Sequence, residues 1–529
     1  MSTEVLPPLV GNPSVKSPAS KMPLSNPQAN MQLQSRLFRL PRELRDLIYH
    51  HYLFNEAGLA YNFDTNKVPV DLSLMCTCRA AALELRGLAL RLNKIVFRTS
   101  YTDATRTHAS MFHKALATLH TLKLDLLNRV LPDLLTDAVE TEISLKYPEF
   151  SPALPAWRMG FGNMHFLGEP ASTHRDFIHF ALNLLFKRTR ISTAARRHLR
   201  RDHKKLRKSN PEPWQTPNEG TLRRGREGMS GPSTEYIRNL RVIPFDGALQ
   251  QLVDTAKVGH MQPDDNVNYS FSAAACAIRF FRSLRVETLE QMRDIELIED
   301  RESISFPECH VRGLIPFCRE HPRMRVHRRV SLWSNVFPVT STLPYKTSPT
   351  HRRVNRVNLE RDRLASRYVS RAVAKWMAEA SALPSLGMPE GSFKLTFECD
   401  SAPEETTQVF DIIQRDAAWQ TALDLSYARN LLPQPDWRMR RLRNGYIYET
   451  FPQLLQQVTD GQSFIRCDFN PGEVQDPEQI MRELSGYSKE MWETKWHGHT
   501  PARFQTLENM PPWHLLRDGF TIWDGEGNR

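Results

Sequence analysis

The chain has 529 residues, with 70 Lys and Arg against 59 Asp and Glu, 40% hydrophobic residues, 36 prolines and 7 cysteines. At roughly 100–200 residues per domain this length allows about two to four domains or one large irregular one, and an apolar fraction a little under the ~45–50% of ordinary globular chains leaves room for loop or disordered sequence beside folded cores. No apolar run approaches the ~18 residues of a bilayer span, and MSTEVLPPLVGNPSVKSPAS has neither the basic nor the apolar region of a secretory signal. An intracellular protein, nuclear or cytoplasmic, with reduced cysteines is therefore expected.

In chain order, residues 1–34 contain six prolines among Ser, Asn and Gln, too little apolar surface to offset chain entropy, and read as a disordered tail. At Leu37 the character changes. Pro41 suits a first helical turn, Glu43 and Asp46 suit the positive end of the helix dipole, and Leu44, Leu47, Ile48 and His51 share one face of a helix expected to run to about Leu53. Asp71–Arg79 and Ala80–Leu92 read as two further short helices and Lys94–Arg98 as a strand, which makes residues 35–100 a small helical module.

Beyond it, strands are expected at Glu142–Tyr147, Leu240–Phe245, Arg293–Ile298, Arg325–Trp333, Phe393–Cys399 and Ser463–Phe469. Helices are expected at Ala109–Leu119, His174–Lys187, Phe271–Leu284, His310–Glu320, Arg352–Ala382, Glu404–Tyr427, Gly445–Val458 and Pro477–Ser485. The spacings Leu116-x2-Leu119-x2-Leu122-x-Leu124 and Leu289-x2-Met292-x2-Ile295-x-Leu297 are those of leucine-rich-repeat strands, without a regular period. The expected architecture is α+β or irregular α/β. The helical module is followed by a mixed α/β body, residues 101–186 and 233–529, with leucine-rich-repeat-like pieces.

Between the two parts of that body lies a basic, Pro- and Gly-containing linker or insertion, residues 187–232. Lys187 to Arg226 holds fourteen basic residues against three acids, which accounts for the whole net charge of +11. Its densest part is Arg196, Arg197, Arg200, Arg201, Lys204, Lys205, Arg207 and Lys208. Such clusters serve as a nuclear-import address, contact phosphate backbones, or simply keep a linker solvated. Trp214 is the only aromatic residue there, which argues against a base-stacking platform.

Leu40-Pro41-x-Glu43-Leu44-x3-Ile48-Tyr49, followed by Thr77-Cys78-Arg79-x4-Glu84 and Asn93-x3-Phe97, resembles the F-box-like module of large uncharacterised fungal families. The resemblance covers roughly residues 37–100. It implies a three-helix unit whose apolar residues, here Leu40, Pro41, Leu44, Leu47 and Ile48, dock on a Skp1-like scaffold subunit of a cullin–RING ubiquitin ligase. The C-terminal region would then hold an unknown client protein. The alternative for the same residues is the core of an N-terminal domain with no partner. Pro307–Pro322 is similar to a segment of the same fungal proteins and implies no activity.

No phosphate-cradling Gly-x4-Gly-Lys-[Ser/Thr], His-Glu-x2-His or Gly-x-Ser-x-Gly occurs. The best zinc set, Cys309, His310, Cys318 and His321, begins with adjacent donors whose side chains leave the backbone in different directions, so ordinary packing is expected there. No reaction, cofactor or metal is expected. The chain reads as a non-enzymatic adaptor, with nuclear nucleic-acid or chromatin association through 187–226 as the alternative.

Overall fold

A computed structural model describes residues 35–159, 168–188, 207, 210–216, 269–337, 363–443, 445–498 and 503–505. The chain divides into two units, one made of residues up to Leu53 together with Asp71–Arg86, the other of Phe54–Val70 and everything from Gly87 onward. The expected module 35–100 is thus shared out: residues 54–70 and 87–100 belong to the larger unit.

The larger unit is built on a parallel six-stranded sheet. Its strands are β1 (Leu59–Ala60), β2 (Ile95–Arg98), β3 (Asp294–Glu299), β4 (Arg325–Ser331), β6 (Phe393–Glu398) and β7 (Ile465–Cys467), and they lie side by side in chain order. Two short segments, β5 (Arg363–Ala365) and β8 (Arg503–Gln505), pair separately and antiparallel. Right-handed crossovers joining strands in chain order place the connecting helices on one face of the sheet. The register fits this. Ile95, Ile295, Val326 and Phe393 form one buried row, and Phe97, Leu297, Arg328, Leu395 and Ile465 the next. The apolar members of these rows share one core with the helices Ala273–Ser283, Ser366–Ser381, Pro403–Ala428 and Phe451–Thr459.

Within the second row stands a charge, held by a dense set of partners. Arg328 pairs with Glu299 at 2.7 Å, both side chains are almost wholly buried, and the guanidinium also donates to the carbonyls of Pro307 (2.7 Å) and Glu308 (3.2 Å). The indole of Trp376 lies 4.5 Å from it. Glu299 also accepts the first amides of the helix Ala273–Ser283, Ala273 at 3.0 Å and Ala274 at 3.3 Å, where a helix otherwise leaves donors unsatisfied. Ser272 caps the same helix through Ala275 at 3.0 Å.

Several expected elements differ. Glu142–Tyr147 is not a strand but lies largely in the helix Asp137–Lys146, which Thr136 caps. Val139 and Ile143, four residues apart, are its buried pair, while Leu145 is 81% exposed, so the alternation of Ile143, Leu145 and Tyr147 is incidental. Ala109–Leu119 is part of a 32-residue helix, Asp103–Leu134. The repeat-like leucines 116–124 therefore sit on a helix and not on a strand. The expected helix Arg352–Ala382 starts at Ser366, after β5, and the expected Gly445–Val458 starts only at Phe451. Residues 1–34, Leu240–Phe245 and 352–362 lie outside the described residues. No helix among the described residues is long and apolar enough to cross a membrane.

A short piece of the basic linker is tied to the body. Trp214 packs so closely over Gly313 that a Cβ there would stand 2.5 Å from its Nε1, and Glu212 pairs with Arg282 at 2.7 Å.

The Arg328–Glu299 pair yields a stability prediction. Removing one partner of a buried pair costs about 3–5 kcal/mol because the other charge is left uncompensated. Arg328→Met should therefore lower the stability of the sheet unit by about that much in guanidinium titrations followed by tryptophan fluorescence. Adding Glu299→Gln, which removes the stranded charge, should restore part of the loss.

Candidate interaction surface

The smaller unit contains α1 (Arg42–Leu53) and α2 (Arg79–Leu85). Stepping about 100° per residue, α1 divides into two faces. One carries Arg42, Arg45, Tyr49 and Leu53, and the opposite one Leu44, Leu47, Ile48 and His51. In an ordinary amphipathic helix the leucine face would be buried. Here the burial is reversed: Tyr49 and Leu53 are buried, whereas Leu44 is 46%, Leu47 57% and Ile48 41% exposed.

A single carboxylate accounts for the reversal. Glu84 of α2 receives Arg45 through Nε at 3.0 Å and Nη2 at 2.7 Å, the Tyr49 hydroxyl at 2.8 Å and Arg42 at 3.1 Å. Arg45 also donates to the Leu40 carbonyl at 2.6 Å and covers the Phe38 ring at 5.6 Å, which fixes the entry to the helix. The Arg45 hydrogen bonds hold the Glu84 carboxyl below its usual range against the opposing effect of burial. Burial, with Glu84 beside it, pushes the Tyr49 phenol up to about 12. At the far end Asp71 accepts the Ser73 amide at 2.8 Å, and hydrogen bonds from Ser73 and Tyr52 hold its carboxyl at about 2. Cys78 caps α2 through the Ala81 amide, and Ala81 and Leu85 complete the small interior.

The polar residues thus turn inward and saturate one another, and the apolar stripe faces outward. Leu72 and Leu83 of the same unit are exposed as well. Of the residues expected to meet a partner, Leu44, Leu47, Ile48 and Pro41 are exposed and Leu40 is half-buried. Sequence periodicity picked out this stripe. It did not identify Arg45, Tyr49 and Glu84 as the group that turns it outward, although Tyr49 and Glu84 both stand in the motif.

Of the basic cluster, Arg207 is half-buried with its guanidinium 5.0 Å over Phe186. Arg196, Arg197, Arg200, Arg201, Lys204, Lys205 and Lys208 lie outside the described residues.

His310, Cys309 and Cys318, which the sequence offers as part of a zinc set, are all buried. His310 stands 2.7 Å from the Ser272 hydroxyl and 2.7 Å from the Ser305 carbonyl, which leaves neither ring nitrogen for a metal, and burial pushes its pKa down to about 3. Ser272 in turn accepts the Ala275 amide. The arrangement is a sealed helix cap. Burial raises the thiols of Cys309 and Cys318, to about 12 and about 11, so both are held as neutral SH groups. Among the described residues no set of three or more His, Cys, Asp or Glu is placed to hold a metal ion. Comparison with family models, curated proteins and solved structures returns no match.

A pH dependence follows from Glu84. Because its pKa is lowered in the folded unit, its contribution is complete above the ordinary glutamate range and is lost as pH falls through the folded value. Asp71 acts with the same sign. The protection of the α1 amides against hydrogen exchange, taken relative to the intrinsic rate at each pH, should fall on acidification through that range. Glu84→Gln should flatten the response and cost about 1–2 kcal/mol at neutral pH, the scale of lost charged hydrogen bonds.

Proposed function

We propose that the protein is a non-catalytic adaptor. Its small helical unit docks on a scaffold protein through the outward apolar face of α1, and its sheet unit holds a client. The observation that carries this reading is the reversed burial of α1. Three adjacent large apolar side chains face solvent on a helix whose polar side is locked inward, and exposed clusters of that kind mark binding sites on soluble proteins. A helix presenting apolar residues at i, i+3 and i+4 is a recurrent recognition form.

The scaffold proposed is a Skp1-like subunit of a cullin–RING ubiquitin ligase. It is supported by the F-box-like motif, whose Leu44 and Ile48 lie on the exposed stripe and whose Tyr49 and Glu84 form the lock beneath it. A parallel sheet with strands in chain order also suits a repeat-like body, since stacked strand–helix units leave an extended strand surface for binding.

The test is calorimetry of the purified full chain against a Skp1 subunit, with Leu44→Asp/Leu47→Asp as the variant. Both positions are exposed, so the unit should melt as before. Affinity should fall about a hundredfold or more, the effect of losing central apolar anchors. A folded variant that binds as tightly as the parent, or a parent that does not bind, would sink this reading.

A further inference from the structure

The second face of the six-stranded sheet has a chemistry of its own. Parallel sheets are as a rule covered on both sides and read as continuous hydrophobic runs. Here β4 and β6 alternate. Val326, Arg328 and Val330 point into the core with Phe393, Leu395 and Phe397, and His327, Arg329, Lys394, Thr396 and Glu398 stand on the other side. Val96 and Ile298, which register with Glu296 and Arg329 on that side, are outside the helix-packed core but are buried, as is Glu296, so the accessible part of this side lies on β4, β6 and β7.

Three carboxylates of this face are taken up by its own cations, while Asp294, in register with Arg325, is exposed and Asp468 accepts the Cys399 amide. Glu296 is gripped by Lys94 at 2.9 Å and Arg329 at 2.9 Å, Glu398 by Arg329, and Asp300 by Arg98 at 3.4 Å. His327 adds no charge: burial, reinforced by Lys394, lowers its pKa, and its Nε2 lies 2.9 Å from the Thr396 hydroxyl. On β6 and β7 two cations stand without an ion pair among the described residues. Lys394 is exposed and has no carboxylate partner among the described residues, and Arg466, two residues further along on β7, donates to the Gly461 carbonyl and has no ion pair among those residues. Arg325 donates to the carbonyls of Pro322 and Met324, and its register partner is Asp294, so it adds nothing to the surplus.

We propose that the β4, β6 and β7 part of this strand face is the client surface of the adaptor, and that it takes an extended polypeptide segment rich in Asp and Glu, whose carboxylates pair with Lys394 and Arg466. The assignment rests on the adaptor reading for the word client, and on charge complementarity for the partner's chemistry. The pairs Arg329 makes with Glu296 and Glu398 beside Lys394 disfavour a basic partner there, because neither carboxylate remains unpaired to meet it.

The experiment uses the full chain and a fluorescein-labelled poly-glutamate peptide. Anisotropy gives the affinity, and carbodiimide coupling followed by mass spectrometry locates the contact, since Lys394 can be joined to a bound carboxylate as an amide. Coupling at Lys394 is expected, with affinity about tenfold weaker in Lys394→Glu/Arg466→Glu. Binding unchanged in Arg196→Gln/Arg197→Gln/Arg200→Gln/Arg201→Gln is also expected. Both substituted face residues are exposed or half-exposed, and unaltered melting of the face variant shows that its fold is kept. Coupling confined to Lys187, Lys204, Lys205 and Lys208, with affinity indifferent to the face variant, would overturn the proposal and assign acidic binding to the basic segment. Leu44→Asp/Leu47→Asp should leave peptide binding intact. Loss of scaffold binding alone in that variant would uphold the adaptor reading even if the sheet face failed its test.

Discussion

The sheet unit depends on one buried contact between a strand and a helix start. Glu299 ends β3, and its carboxylate serves the Arg328 guanidinium of β4 on one side and the first amides of the helix Ala273–Ser283 on the other. Either charge alone would be costly in this interior. Together, with two backbone carbonyls and the Trp376 ring, they have their hydrogen-bonding capacity met. The pair therefore couples three things that hydrophobic packing would leave adjustable: the β3–β4 register, the position of the helix, and the turn at Pro307 that supplies a carbonyl. A network that is complete only in one arrangement is a way of specifying that arrangement, and here it lies in the middle of the sheet.

The small unit uses the same device with the opposite result. Glu84 also collects arginine and tyrosine donors, but because those donors occupy the inward face of α1 the leucines have nowhere to go but out. A helix of this length gains most of its stability from packing one face, and only Tyr49 and Leu53 of α1 are buried. Its hold on the unit is accordingly polar and local. That makes the module dependent on Glu84 and makes its outer surface free to vary in chemistry without disturbing the interior.

Much of this was legible in the sequence where one local rule decides. Pro41 opening α1, the helical spacing of Leu44, Leu47 and Ile48, and the strands near 294–299, 325–331 and 393–398 all follow from period and capping. The errors arose where a short pattern fits two periods. Ile143, Leu145 and Tyr147 alternate like a strand, yet Val139 and Ile143 make the buried helical pair; leucines 116, 119, 122 and 124 fit a repeat strand and a helix alike. The division of residues 54–100 between two units was not legible, because β1 and β2 find their place by pairing in line with β3, about 200 residues later, a contact that no local window contains. For the same reason Arg328 and Arg329 are adjacent and chemically identical in the sequence, while one is sealed in the core and the other lies on the open face.

The polar strand face raises an energetic question of its own. An exposed ion pair such as Arg98–Asp300 contributes at most about 1 kcal/mol. Covering the same strands with an apolar layer would remove far more surface from water, at roughly 25 cal/mol per Å². Stability alone therefore does not account for a parallel sheet that keeps Arg329, Lys394, Thr396 and Arg466 on one side. Charged residues do guard sheet edges against unwanted pairing, but Arg329 and Lys394 are on β4 and β6, interior strands with neighbours on both sides. In the client surface proposed above, residues of this kind in the middle of a sheet would supply selectivity towards an acidic segment laid across them.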